Sequence, residues 1–169
     1  MEPIVNKVAE SGLLTIDLEG LYLSGERVQI DISDWLFEGL VLREKDFRER
    51  LKATDWAAYA GKFVAIHCSS DAIVPTWAYM LLAAALSPFA KGVHFGEIEA
   101  METALFNEAL LKLDTSAYKD QRVVIKGCSG VKVPASAYLR LTAILQPVVK
   151  SIFYGEPCST VPVFKRKGE

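Results

Sequence analysis

The chain has 169 residues, with 19 Lys and Arg against 21 Asp and Glu and a formal net charge of −2. That length is enough for one compact domain with a full core, and the charge argues against a general nucleic-acid binder, which carries a basic patch or stripe. The longest apolar run, Trp77 to Leu86, is too short to span a bilayer, which takes about 20 residues, and the opening MEPIVNKVAE lacks the basic-then-apolar order of a signal peptide.

In chain order, Leu13 to Leu18 alternates apolar and polar and predicts a strand. Ser24-Gly25 marks a turn, and Val28 to Ile32 predicts a second strand, which can form an antiparallel edge hairpin with the first. Leu36, Leu40, Phe47 and Leu51 recur at helical spacing and predict a helix over 36–51. Phe63 to Ile66 is a short apolar strand, and a helix follows from Val74-Pro75 to Leu86, with Pro75 at a permitted first-turn position. The alternation continues with a strand at 92–95, a helix at 97–111, a strand at 122–125, a helix at 133–145 and a strand at 151–154. Strands and helices alternating through short connections predict an α/β fold with a mostly parallel sheet and right-handed crossovers. The apolar strands FVAI, VVI and SIFY suit a sheet buried on both faces. No linker or low-complexity segment interrupts 1–169, so a single domain is expected. The tail Lys165-Arg166-Lys167 reads as a solvated end.

The pattern also repeats in its letters. Residues 47–97 match 106–156 at numbers that differ by 59: Phe47 with Phe106, Asp55 with Asp114, Tyr59 with Tyr118, Val74-Pro75 with Val133-Pro134, Tyr79 with Tyr138, Pro88 with Pro147 and Gly96-Glu97 with Gly155-Glu156. Cys68-Ser69 pairs with Cys128-Ser129 one position further on, so a residue is gained before the second cysteine and lost after it. The fold expected is therefore an internal duplication of a strand-helix-strand-helix unit, preceded by an N-terminal strand pair.

Ligands of open α/β sheets bind beyond the carboxyl ends of the strands. Cys68, Cys128 and Cys158 each follow a predicted strand, and each is followed by serine. Three thiolates converging on one rim form a soft site for zinc or an iron–sulfur cluster, with His67, Glu97, Glu156 or solvent completing the set. Ser69, Asp71, Ser129, Glu97 and Glu156 are the further candidate binding residues beside these loops. The competing reading is packing, since cysteine is among the most buried residues. A reactive thiol is a third reading: Cys68 and Cys128 precede helix N-termini, where the dipole favours a thiolate. His67 and His94, the only histidines, find Gly127 and Phe153 at the corresponding places, so a duplicated thiol enzyme with a histidine base is disfavoured. Three cysteines with no CxxC pair fit a reducing cytoplasm better than a disulfide scaffold. The glycines of the Gly-Glu pairs suggest sharp strand exits, Glu97 can cap the helix after it, and Tyr79 and Tyr138 read as core residues with bonded hydroxyls. No GxGxxG, P-loop, HExxH or GxSxG motif is present.

The strings HCSSDAIVPTWAYMLLA, VVIKGCS and SIFYGEPCSTVPVFKRK, with the opening MEPIVNKVAESGLLTIDLE, resemble the bacterial family called domain of unknown function 2480 over essentially the whole chain. The resemblance implies a single full-length unit and a gene neighbourhood shared with sulfur-mobilisation iron–sulfur assembly factors, which would be the partners. It gives no residue a role. The favoured expectation is a non-enzymatic cytoplasmic accessory protein binding a metal or cluster through the three cysteines. An enzyme with Cys68 as nucleophile and an interaction protein with buried cysteines are the alternatives, and exposed apolar helix faces leave room for a homodimer.

Overall fold

The computed structural model describes residues 12–127 and 130–168. Among these residues, seven strands and four α-helices follow in the order β1 (Leu13–Asp17), β2 (Arg27–Asp31), α1 (Glu44–Ala53), β3 (Phe63–His67), α2 (Thr76–Leu86), β4 (Gly92–Phe95), α3 (Ile98–Leu111), β5 (Arg122–Lys126), α4 (Ala135–Leu145), β6 (Ser151–Glu156) and β7 (Ser159–Lys165). The fold is mixed α/β with two sheets, and no described helix is long and apolar enough to cross a membrane. The chain divides into two compact units, one formed by residues 24–104 and the other by 1–23 with 105–169.

The inner unit (24–104) holds a three-stranded sheet in the order β2-β3-β4, all parallel. The central strand β3 is apolar at Phe63, Val64, Ala65 and Ile66, and all four are buried, as a strand covered on both faces requires. Val64 and Ile66 face a core with Ile30, Ile32, Phe47, Ala78, Leu82 and Leu86. The helix α2 enters this core because Ala78, Leu82 and Leu86 recur every four residues on one face. Phe47 is fully buried, 5.2 Å from the Trp35 ring and 6.0 Å from that of Trp77.

The outer unit holds the order β1-β5-β6-β7, parallel except for the antiparallel pair β6–β7. Its core joins Val123 and Ile125 of β5 to Ile16, Phe106, Leu110, Ala137, Leu141, Leu145 and Ile152. The two registers correspond: β3 pairs Phe63 with Gly92 of β4, and β5 pairs Arg122 with Ser151 of β6, both displaced by 59 positions.

Three expectations are corrected. The first two strands form no hairpin: β1 pairs with β5 and β2 with β3, in different sheets. A 3-10 turn at Leu18–Leu21, anchored by fully buried Leu18, separates them, and each strand instead lies parallel beside a buried central strand. The helix expected over 36–51 begins at Glu44. Ahead of it Phe37 bridges Val41 around Glu38 and Gly39, both at positive φ (52° and 70°), a geometry no α-helix accepts. Leu40, read as part of the helical stripe, is 64% exposed. The tail is not a free end either. Lys165 closes β7 opposite Ser151, and Arg166 donates to Asp120 Oδ1 at 2.6 Å and to the Val148 carbonyl at 3.0 Å. That hydrogen bond, with the adjacent cations, holds the exposed Asp120 carboxyl below its usual range. Pro162 hides β7 in the sequence, since proline is tolerated only on an edge strand, which is where β7 lies.

Because Phe47 and Phe106 hold matching places in the two cores, Phe47→Ala and Phe106→Ala should each cost about 3–5 kcal/mol. Urea unfolding of the two variants checks this, and a loss under 1 kcal/mol at either site would contradict the packing described.

Candidate functional site

In the inner unit the carboxyl ends of three parallel strands bring an acid, a base and an acid into a row. Asp31 ends β2, its register partner His67 ends β3, and Glu97 follows β4. His67 Nε2 lies 4.0 Å from Asp31 Oδ2, and Nδ1 lies 3.9 Å from Glu97 Oε1. Gln29, two residues before Asp31 and so on the same strand face, fixes the tautomer. The Ile98 backbone N–H, which can only donate, bonds Gln29 Oε1 at 3.2 Å, so the amide nitrogen faces His67 Nε2 at 2.7 Å. Nε2 must therefore accept, and the ring proton sits on Nδ1, toward Glu97.

Asp31 is the hub of the loop after β3. Its Oδ1 accepts from the backbone N–H of Ser33 at 2.9 Å and of Ser69 at 3.1 Å, and Oδ2 accepts from the Ser69 hydroxyl. Burial pushes this carboxyl up, but the bonds from Ser69 and Ser33 outweigh it and hold it well below the usual carboxylate range. Ser70 ties the loop down further by donating from its hydroxyl to the Gly39 carbonyl. Through these bonds Asp31 orders the loop that carries Cys68 and Ser69.

The outer unit repeats the row with a different centre. Lys126 Nζ at the end of β5 lies 3.5 Å from Asp17 Oδ2 and 3.9 Å from Glu156 Oε1. Asp17 accepts from the Glu19 N–H at 3.0 Å, as Asp31 does from Ser33, and Glu19 Oε1 accepts from the Gly130 N–H at 2.9 Å. By register the counterpart of His67 is thus Lys126, not Gly127: Asp31 pairs with His67 and Asp17 with Lys126, and Gly127 follows the strand. Its place requires glycine: an added Cβ would stand 2.9 Å from the Tyr138 hydroxyl and 3.0 Å from Leu18 Cβ. Tyr138 donates to the Gly127 carbonyl at 2.7 Å, the bonded hydroxyl expected of it. Gly96 and Gly155 both take positive φ (108° and 116°), as sharp strand exits need. Glu97 stands just ahead of α3, and its carbonyl accepts from the Met101 N–H at 3.1 Å.

Of the residues singled out from sequence, Ser69, Glu97 and Glu156 join these rows, while exposed Asp71 stands outside them. Cys128 and Ser129 lie outside the described residues. Cys68 is half-buried at the edge of the inner core, its thiol donating to the Ser70 carbonyl at 3.6 Å. Burial pushes the Tyr79 hydroxyl pKa up, and a charge on Cys68 raises it further. Cys158 is exposed in the turn between β6 and β7, so the two described cysteines belong to different units. Among the described residues no group of three or more His, Cys, Asp and Glu side chains is arranged to hold a metal ion. Sequence reading missed Asp31, Asp17 and Gln29, and took Lys126 only as a charged neighbour of Cys128. The available signal was the shared ending Ile-Asp of LLTID and RVQID, visible only if the two strands are compared as equivalents rather than paired as a hairpin.

Fold and site together define a mixed α/β protein of two units, each closing the carboxyl ends of a parallel sheet with an acid–base–acid row. Residues 2–166 match the family model described as protein of unknown function (DUF2480), and the chain belongs to that family. No curated protein and no solved structure matches it.

The Asp31 network carries a pH signature. Its folded pKa is lowered, so its contribution is fully present above the unfolded value near 4 and is lost as pH falls through the folded one. Asp31→Asn should cost on the order of 1–2 kcal/mol at pH 7, and the deficit should shrink as pH drops below about 4. Thermal melts at pH 7 and pH 3 test this; a deficit equal at both would show that the ionised form is not what Ser33 and Ser69 favour.

Proposed function

We propose that this is a non-enzymatic, cytoplasmic bacterial accessory protein, built by internal duplication, which binds zinc or an iron–sulfur cluster through Cys68, Cys128 and Cys158. The observation that carries the reading is the exposure of the thiols: Cys68 is half-buried and Cys158 exposed, whereas cysteines kept only for packing are among the most buried side chains. Both also lie just past strand ends, the side of an α/β sheet where ligands bind. Thiolates are soft donors suited to zinc and to iron–sulfur clusters. The duplication is supported by registers displaced by 59 positions and by the acid–base–acid row in each unit. The partners are iron–sulfur assembly proteins, which would take the cluster from or deliver it to the cysteine loops.

The alternative of Cys68 as an enzymatic nucleophile is less well supported. Its thiol is turned to the Ser70 carbonyl, and the neighbouring His67 is engaged by Gln29 on one ring nitrogen and faces Glu97 with the other, which leaves no free base beside the sulfur.

The test is metal and sulfide content of protein purified without oxygen, for wild type and a Cys68→Ser/Cys128→Ser/Cys158→Ser variant. Stoichiometric zinc, or iron with sulfide, in the wild type and absent from the variant is expected. Equal metal content in both proteins, or none in either, would overturn the three-cysteine site.

A further inference from the structure

The outer unit contains a cavity that the cysteine loops do not use. It has a volume of about 570 Å³ and opens between α4 and the strands β6 and β7. Drug-sized ligands occupy pockets of roughly 300–1,000 Å³ with largely apolar walls. None of the lining side chains carries a charge; Tyr138, Leu139, Thr142, Phe153, Tyr154 and Val163 form most of the wall. An ionic ligand would lose its hydration there without gaining a partner charge.

One wall is held rigid before any ligand arrives. The Tyr138 hydroxyl is tied to the Gly127 carbonyl, the Thr142 hydroxyl donates to the Tyr138 carbonyl at 2.8 Å, and the Tyr138 and Tyr154 rings meet edge to face at 5.8 Å. Thr142 has thus spent its hydroxyl on its own helix. The Gln146 amide and the Tyr154 hydroxyl are the remaining hydrogen-bonding groups in the lining, both on exposed residues. Preorganised aromatic faces and edges favour a ring over a flexible chain, because the wall loses little freedom on binding.

The inner unit provides an internal comparison. The same place, between α2 and β4, is lined by Tyr79, Met80, Ala83, His94 and Phe95, the residues numbered 59 below their outer counterparts. That hollow is only about 230 Å³, below the usual ligand range. Side-chain size does not explain the difference, since Ala83 is smaller than Thr142. The outer sheet goes on to a fourth strand, β7, which adds Val163 to the wall, whereas β4 runs directly into α3.

We propose that the outer-unit cavity binds a neutral, ring-containing small molecule, one per chain, independently of any metal at the cysteines. The probe is N-phenyl-1-naphthylamine, which is uncharged, carries two ring systems and brightens in apolar surroundings. Its anionic relative 1-anilinonaphthalene-8-sulfonate and a straight-chain fatty acid serve as competitors. The expected result is saturable binding of one probe per chain, with at least tenfold weaker displacement by either competitor. Thr142→Trp, which fills the cavity, should weaken binding at least tenfold, while Ala83→Trp in the inner hollow should leave it unchanged. Should Thr142→Trp fail to fold, Leu139→Lys is the second variant. It places a charge at a wall residue already 71% exposed and should weaken the probe without unfolding the protein, as circular dichroism would verify. Absence of saturable binding overturns the proposal, as does binding insensitive to both outer-unit variants or lost only in Ala83→Trp. A concentration-dependent dimer that Leu139→Lys abolishes, with no probe bound, would instead make the groove a contact between copies of this chain.

Discussion

Everything in each unit is arranged around one buried parallel strand. β3 and β5 are apolar on both faces, and each takes a parallel neighbour on either side. A parallel pair cannot be closed by a tight turn, so its neighbours must arrive from elsewhere in the chain. On one side the crossover helices α2 and α4 deliver β4 and β6 within a short stretch. On the other side the partners are the N-terminal strands, from very different distances: β2 pairs with β3 as Arg27 with Phe63, but β1 pairs with β5 as Leu13 with Arg122. The inner unit is therefore contiguous in sequence, while the outer unit joins segments from either side of it in the sequence. Loop-closure entropy grows slowly with length, so this costs little stability, but it gives the outer unit the more non-local contacts and hence the slower route to its native pairing.

Parallel strands also put their carboxyl ends side by side, and that accounts for the acid–base–acid rows. Three strand termini at sheet spacing carry three side chains on one rim, and in the outer unit these are unlike charges, which are stabilising neighbours. The two units solve the problem with different centres. Lys126 is a compact ammonium that both acids can approach. His67 is a neutral ring whose tautomer is set by Gln29 and, through it, by the Ile98 backbone N–H at the start of α3. The inner unit adds a further layer: Asp31 gathers Ser33 and Ser69 and thereby shapes the loop bearing Cys68. The equivalent acid in the outer unit acts through Glu19, whose carboxylate takes the Gly130 N–H. The two units thus differ where ligands of α/β proteins bind, while their cores hold Phe106 and Phe47 at matching places.

The sheet edges differ as well. The inner sheet ends at β4, whereas β6 turns back through β7 and the chain is anchored by Arg166 on Asp120 and the Val148 carbonyl. Pro162 in β7 removes a donor from an edge that would otherwise offer a template for further pairing. The same strand lends Val163 to the wall of the cavity beside α4, so one hairpin serves both the edge and the cavity.

Much of this was legible in the sequence, because the signals are local. The strands at 63–66, 92–95, 122–125 and 151–154 and the helices between them follow from periodicity and from Pro75, Ser87 and Pro88, and the mostly parallel α/β class follows from their alternation. The positive-φ exits at Gly96 and Gly155 and the bonded hydroxyl of Tyr138 were readable from residue type and place. The non-local facts were not. Nothing in LLTID or RVQID says which strand each will lie beside, since alternation marks a strand and not its partner. Leu40 fits a helical stripe by spacing, yet the left-handed pair Glu38-Gly39 turns the chain before the helix starts. The matching of Lys126 to His67 was fixed by strand register, because in the letters Cys128 stands one position further on than the offset of 59 would put it. By itself the sequence determined the elements between Phe63 and Tyr154 and the parallel habit of the buried strands, because these rest on short-range sterics and apolar periodicity. Only the tertiary structure decided the strand partners, the two separate sheets and the charged rows, because pairing and charge proximity are set by residues up to 109 positions apart, as in Leu13 and Arg122.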